Sequence, residues 1–403
     1  MYTLLLILIY ITFISLGIPD SLFGAAWPAI HLEIGVPAAY GGMVTILMSG
    51  GTIIASLLSG RLTHRFGACI VTASGVVLSS LALFCFSISS AFWMLPLFAL
   101  PLGLGAGSID AAINNYVSLH YNSRHMNWLH CFWGVGASIG PYIMGYSLSS
   151  GLGWNSGYLS VSAIQIILAI IIFISYPLWK REGKSKPVQD NNKKQESSEP
   201  NEAKQLSLAQ LIKIKGVKYV LIAFFAYCGV EATSYMWAST YLVQYRGIAT
   251  DVAARYASLF FIGITVGRFL SGVISDKIGG RNMIRLGFAL ISLGIIAVVL
   301  PVPTDMLCLY GLVTIGLGCA PIFPALIHAT PANFGKENSA SLIGVQMACA
   351  YTGSSLMPPL FGLLAGWLGF GLYPMYISIF LVLMVVLIER LNRILKNPPD
   401  FIK

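Results

Sequence analysis

Charge is scarce in this chain. Charged residues make up 10% of its 403 positions, whereas a soluble globular domain carries about 25%. An ordinary water-soluble fold is thereby excluded. Other absences narrow the field further. The seven cysteines (Cys69, Cys85, Cys131, Cys228, Cys308, Cys319, Cys349) form no C-x-x-C pair and fall mostly within apolar stretches. They read as small packing residues, not as a disulfide or metal framework. No phosphate-binding glycine loop is present, which argues against ATP drive, and there is no H-E-x-x-H or G-x-S-x-G motif. No cofactor and no metal is implied. The N-terminus, Met1-Tyr2-Thr3-Leu4, is apolar from the start. It lacks the basic beginning and small-residue cleavage site of a secretory signal, so it is expected to be a retained first membrane helix.

What the chain has is hydrophobic length. Hydrophobic residues reach 56% and mean hydropathy is +0.77. At roughly 20 apolar residues per crossing, a chain of this size holds about twelve spans. The expected helices are 3–29, 40–60, 68–89, 92–119, 127–149, 155–179, 217–243, 252–275, 282–301, 305–330, 339–364 and 370–392. The fold class is therefore an all-α membrane protein of twelve transmembrane helices in two six-helix bundles. The expected division is 1–179 for the first bundle, 180–216 for a cytoplasmic linker and 217–403 for the second bundle with a short tail. Lys180 to about Gln205 is rich in Lys, Glu, Asn, Gln and Ser and buries too little apolar surface to fold alone.

The net charge of +9 orients the chain in a bilayer and is not a nucleic-acid signal. With both termini cytoplasmic, the inner loops hold Arg61, Arg65, Arg124, the basic linker, Lys277, Arg281, Arg285, Lys336 and the tail residues Arg390, Arg393 and Lys396. The outer loops hold only Arg246 and Arg255. This is the positive-inside pattern of a multi-pass protein of the cell (inner) membrane.

The halves repeat. Gly60-Arg61-Leu62-Thr63-His64-Arg65-Phe66-Gly67 matches Gly272-Val273-Ile274-Ser275-Asp276-Lys277-Ile278-Gly279 at an offset of 212 (272 − 60). Gly103-Leu104-Gly105 matches Gly316-Leu317-Gly318 at 213 (316 − 103), and Gly136 and Gly145 match Gly353 and Gly362 at 217 (353 − 136). Parallel six-helix repeats about an axis along the membrane normal build alternating-access transporters.

On these residues the chain resembles the major facilitator superfamily, whose signature loop is G-x-x-x-D-[RK]-x-G. The second copy is intact; in the first, His64 stands where the acid is expected. The resemblance implies that this loop helps lock the outward-facing state, which makes Gly60, Arg65, Asp276 and Lys277 gating candidates. Gly105-Ala106-Gly107-Ser108-Ile109-Asp110-Ala111-Ala112-Ile113-Asn114 is similar to the corresponding helix of fucose permease-type sugar/proton symporters. Those symporters also carry an aspartate in helix one, where this chain has Asp20. Asn127-Trp128-Leu129-His130-Cys131-Phe132 resembles a polar helix-five motif of the same group, with His130 in place of Gln. Animal sodium-dependent glucose transporters are similar at this level, so the coupling ion is a proton or sodium. The resemblance also implies a monomer.

Three acids lie inside otherwise apolar spans: Asp20, Asp110 and Glu231. A carboxylate at membrane depth costs several kcal/mol and is functional by default. Asp110 and Asn114 share a helical face, and the glycines before them allow close helix approach; Asp110 is either the proton carrier or a neutral structural acid. Asp20 follows Pro19, which frees a backbone carbonyl; it lines a cavity or ends a helix near the outer surface. Glu231, with Tyr235 at i+4 and Trp237 nearby, can hold a sugar or attract an organic cation, and no base of the second half is expected at its depth. His130 is a relay or a satisfied hydrogen-bonding group, and His328 is a weaker candidate. Gln346 contacts solute or bridges helices. Trp27, Trp133 and Trp237 can stack on a sugar, with Trp133 the best placed. Arg268 either pairs with Asp276 across two turns or snorkels, a structural and gating role.

The expectation is proton-coupled symport of a monosaccharide. The carriers would be Asp110 and Asp20, and the solute would meet Asp20, Asn114, His130, Trp133, Glu231, Tyr235, Trp237 and Gln346. A proton-driven exporter of drugs or metabolites is the alternative. A polytopic enzyme or sensor, which should show catalytic polar clusters or a sizeable soluble domain, is a remote third.

Overall fold

The structure is a computed structural model and describes residues 2–182, 206–300 and 305–396. Every regular element among them is helical. The long helices are α1 (Tyr2–Ile34), α2 (Gly41–Phe66), α3 (Ala68–Ser87), α4 (Met94–His120), α5 (Ser123–Ser149), α6 (Gly153–Ile174), α7 (Val217–Gln244), α8 (Thr250–Ile278), α9 (Gly280–Val299), α10 (Met306–Cys319), α11 (Lys336–Leu368) and α12 (Tyr373–Lys396). Ten spans among the described residues are long and apolar enough to cross a membrane. The helices short of that mark, α5 and α11, carry Arg124, His125, Asn127 and His130, and Lys336, Glu337, Asn338 and Gln346, respectively. Both press against the opposite half of the molecule, α5 on α8 and α11 on α2; Asn127, His130 and Gln346 are buried there, while Arg124, Lys336 and Glu337 at the helix starts are exposed.

The signature stretch is a continuation of helix, not a loop. α2 runs on to Phe66 and α8 to Ile278, where 60 and 275 were expected. Basic residues in the last turns (His64, Arg65, Lys277) favour the helix C-terminus. Each helix stops only at Gly67 or Gly279, both at φ 82°, a conformation that glycine adopts without steric cost. One residue thus separates α2 from α3, and one separates α8 from α9.

Two other boundaries move because of proline. The tenth helix, expected to be continuous over 305–330, breaks into α10, Ile322–His328 and Thr330–Phe334, with Pro321, Pro324 and Pro331 at the breaks or just inside the pieces. The sixth ends at Ile174 and resumes as Tyr176–Glu182 around Pro177. In each case proline removes a helix hydrogen bond. The expected linker lies largely in 183–205, outside the described residues, as does the tail after 396. Within 206–216, Leu208–Lys213 forms a helix closed by a Ser207–Gln210 capping box.

α1–α6 pack chiefly on one another (α2 on α4, α1 on α5, α3 on α4 and α6), and α7–α12 do the same (α7 on α11 and α12, α8 on α10, α9 on α10). The repeat extends to individual contacts. A Cβ added at Gly103 would meet the Met48 carbonyl, and one at Gly316 the Phe260 carbonyl. The contacted residues keep the offset of 212 (260 − 48). Gly136 on Ile14 is matched by Gly353 on Phe225, 211 apart on the contacted helix (225 − 14). Large apolar residues such as Leu81, Ile167, Ile170, Leu293, Ile296, Ile379 and Val382 are exposed around the outside, as a bilayer requires.

The halves meet along two seams, α2 with α11 and α5 with α8, and the contacts gather toward the end that bears Gly67 and Gly279. Gly60 faces Ser341, and Gly344 faces the Ser56 carbonyl. Ser339 donates to Asn115 at 2.8 Å. Trp128 donates to the Phe269 carbonyl at 3.3 Å and covers Gly272. Arg124 pairs with Asp276 at 2.8 Å, and the His328 imidazole is 2.9 Å from the Tyr121 carbonyl.

Candidate functional site

Glycines bring the site together. Gly103 and Gly107 seat α4 on α2, and Gly105 seats it on α3, which turns Asp110 toward the opposite bundle at 5% exposure. Its Oδ1 accepts from Asn114 Nδ2 at 2.8 Å and its Oδ2 from the Tyr351 hydroxyl at 2.8 Å. Tyr351 belongs to α11, so this acid is held across the interface. Asn114 spends its amide hydrogens on Asp110 and leaves Oδ1 as acceptor. His130 Nε2, 3.0 Å away, is therefore assigned as the donor, which fixes the tautomer. Phe13 and Phe323 close on the imidazole edge-on at 5.5 and 4.8 Å.

Glu231 is neutralised, contrary to the sequence expectation. Arg268 Nη2 donates to its Oε1 at 3.1 Å. Arg268 is 4% exposed, reaches the His130 carbonyl at 3.5 Å and lies 5.7 Å over the Trp133 ring. The expected Arg268–Asp276 pair is absent; Asp276 accepts a two-pronged bond from Arg124 at 2.9 and 2.8 Å. The cause is the length of α8. Because that helix continues to Ile278, Arg268 sits ten residues up (278 − 268), about 15 Å from the helix end. It is at mid-depth and neither snorkels nor reaches Asp276.

Asp20 is exposed to the gap between the bundles although protein surrounds it. Trp133 Nε1 donates to its Oδ2 at 2.9 Å. A cavity of about 80 Å³ beside it is lined by Pro19, Asp20, Thr52, Gln165 and Tyr351 among others, enough for water. Asp20 and Glu231 are counterparts in the repeat, 211 apart (231 − 20), the same offset that relates Ile14 to Phe225.

Asp20, Asp110, Asn114, His130, Trp133, Glu231 and Arg268 thus converge, and Tyr235, 37% exposed, stands one turn beyond Glu231 with its ring on Phe261 at 5.2 Å. Others are placed elsewhere. Trp237 donates to the Pro358 carbonyl at 2.8 Å and packs on Phe361 and Phe370. Trp27 bonds locally to the Ala38 carbonyl. Gln346 is fully buried and accepts from Thr330 at 3.0 Å, which is the helix-bridging arrangement. Of the gating candidates, Gly60 and Asp276 lie in the seams. Arg65 and Lys277 are exposed at the helix ends, Arg65 over the Phe66 ring at 5.3 Å. Sequence reasoning missed Tyr351; its only signal was its place two residues before Gly353, the counterpart of Gly136.

The profile of the major facilitator superfamily matches residues 9–358 and, in a second alignment, 219–400. The chain belongs to the major facilitator superfamily. Among curated proteins it is 25% identical over 391 residues to bypass of stop codon protein 6 of Saccharomyces cerevisiae, covering 91% of this chain and 78% of that one. It is 24% identical over 273 residues to a hexuronate transporter of Bacillus subtilis (66% and 63% of the two chains). It is 22% identical over 276 residues to a glucose/mannose transporter of the same organism (68% and 65%). Among solved structures, the E. coli fucose:proton symporter superposes with a TM-score of 0.74 at 16% identity, covering 97% of this chain and 99% of that one. A structure of the fucose transporter in the outward conformation gives 0.75 at 15% identity, covering 96% and 98%. The superfamily fold and a multi-pass membrane transporter follow.

Proposed function

We propose that this chain is a twelve-span secondary transporter that imports a monosaccharide together with protons by alternating access. The observation that carries the reading is the pair of acids with unequal access. Asp20 opens to the gap between the bundles, while Asp110 is nearly sealed and grasped by Tyr351 of the other bundle. An acid tied across the interface, with a second and exposed acid beside the cavity that Tyr351 also lines, is suited to take up and release a proton as the interface opens and closes. Asp110 is the main carrier, Asp20 the acid nearest the solute, and Asn114 and His130 set the hydrogen bonding around Asp110. Trp133 and Tyr235 offer aromatic faces, and Asp20 an acceptor for hydroxyls.

Both termini and the linker are assigned to the cytoplasmic face of the inner membrane, with a monomer as the working unit. The closed seams then lie on the cytoplasmic side and the chain stands outward-facing. One charge moving down 100 mV is worth about 2.3 kcal/mol, enough for more than tenfold accumulation. The exporter alternative is weakened at Glu231, where Arg268 already occupies the position an organic cation would take.

Proteoliposomes under an imposed pH gradient, offered a panel of labelled sugars, test the reading. The parent is expected to accumulate at least one sugar. Asp110→Asn should lose gradient-driven accumulation and keep sugar exchange. Uptake that ignores every sugar, or full accumulation by Asp110→Asn, rejects it.

A further inference from the structure

Trp133 touches two things that belong to different parts of the cycle. Its Nε1 donates to Asp20 Oδ2 at 2.9 Å, and its ring carries the Arg268 guanidinium at 5.7 Å. Asp20 is on α1, Trp133 on α5 and Arg268 on α8 of the other bundle. The indole thus joins the exposed acid to the α5–α8 seam. Its position is imposed by the backbone. A Cβ at Gly17 would fall on the Trp133 carbonyl, one at Gly136 on the Ile14 carbonyl and one at Gly140 on Ser21 and the Ile18 carbonyl. α1 and α5 are pressed together along this stretch, so the backbones bring the indole N–H to Asp20. Below it, the same seam holds Trp128 on Phe269 and Arg124 on Asp276.

We propose that Trp133 is the positioning residue that transmits the protonation of Asp20 to the α5–α8 seam. While Asp20 is ionised, the indole N–H makes a charge-assisted bond, roughly twice as strong as a neutral one. The ring is then fixed beneath Arg268, where the cation is attracted to its face. When a proton binds the Asp20 carboxylate, that bond becomes neutral and the indole is held less firmly. Arg268 then keeps the 3.5 Å contact to the His130 carbonyl on α5 without the indole beneath it, and keeps Glu231 on α7, within its own bundle. The cross-bundle grip weakens while each bundle stays intact, which is what rocking of rigid halves requires. The titratable groups within electrostatic reach of Asp20 are Asp110 on α4, Tyr235 on α7 and Tyr351 on α11; α2 and α6 contribute only uncharged Ser49, Thr52 and Gln165 to the same cavity.

This inference rests on the alternating-access reading but not on the solute. The test is amide hydrogen exchange of the full chain in lipid nanodiscs, without solute, from pH 8 to pH 5. Rates in 124–136 and 264–276 are corrected for the intrinsic pH dependence, with α9 and α12 as the reference. In the parent, protection of both segments should fall severalfold as pH falls. Asp20→Asn should show the low protection at every pH. Trp133→Phe, which keeps a ring but has no N–H, should also lose the pH response, whereas Asp110→Asn should retain it. Parent-like protection in Asp20→Asn, or an undiminished pH response in Trp133→Phe, overturns the proposal. Asp20→Asn decides alone if Trp133→Phe fails to fold. A flat seam leaves sugar transport standing, and absent sugar transport leaves the seam result standing.

Discussion

Asp20 and Glu231 hold the same place in the two repeats, yet one is met by an indole N–H and the other by a guanidinium. That difference gives them different work. Glu231 belongs to a buried pair, with side chains 18% and 5% exposed, and removing one partner of such a pair strands the other charge. Arg268→Met alone should destabilise by about 3–5 kcal/mol, and Arg268→Met with Glu231→Met should regain most of that. Denaturation midpoints of the purified variants decide it, and equal losses in single and double variants count against the pairing. The three acids were legible in the sequence because an ionisable group in an apolar run stands out. Arg268 was read at the wrong depth because the end of α8 was placed three residues early. Tyr351 was invisible, since a tyrosine in a membrane helix has many reasons to be there and only the partner acid gives it one.

At the scale of elements, helix order was readable from hydrophobic length except at α5 and α11, which fall short of a membrane-crossing span, and the repeat from glycine spacing. Where a helix ends was not, since an exposed helical turn and a loop share the same polar composition. Proline broke the tenth and sixth helices at places that the hydrophobic run did not mark. The glycines matter here through distance. At Gly344 a Cβ would stand 2.2 Å from the Ser56 carbonyl, and a backbone atom cannot step aside as a flexible side chain does. Gly344→Val should push α11 off α2 and shift the chain away from the closed seam. Spin-label distances between the linker-side end of α2 and the start of α11 should lengthen; distances matching the parent would show that the contact has slack.

For the whole molecule, the two seams are related by the repeat but not by their chemistry. Asp276 with Arg124 corresponds to His64 with Lys336, both offset by 212 (276 − 64 and 336 − 124), so the α2–α11 seam has two bases where the α5–α8 seam has an acid and a base. The Arg124–Asp276 pair is partly exposed, at 46% and 25%, and such pairs contribute up to about 1 kcal/mol, or about fivefold in population. Arg124→Ala should therefore shift the balance of states by no more than that, and less at high salt. A complete switch of state would mean that the pair does far more than its exposure allows. The two-bundle fold was legible because composition and repeat agreed. The seam asymmetry was half legible, since His64 was visible as a departure but its counterpart pairing needed coordinates.

The single glycines at 67 and 279 leave no play between neighbouring helices. A tug on the end of α2 or α8 is handed in full to α3 or α9, the way a tight elbow passes force from one rod to the next. Splicing a few flexible residues into either elbow would act as a clutch: the inner rod would still travel, and the outer rod, gripped by lipid, would stay where it was.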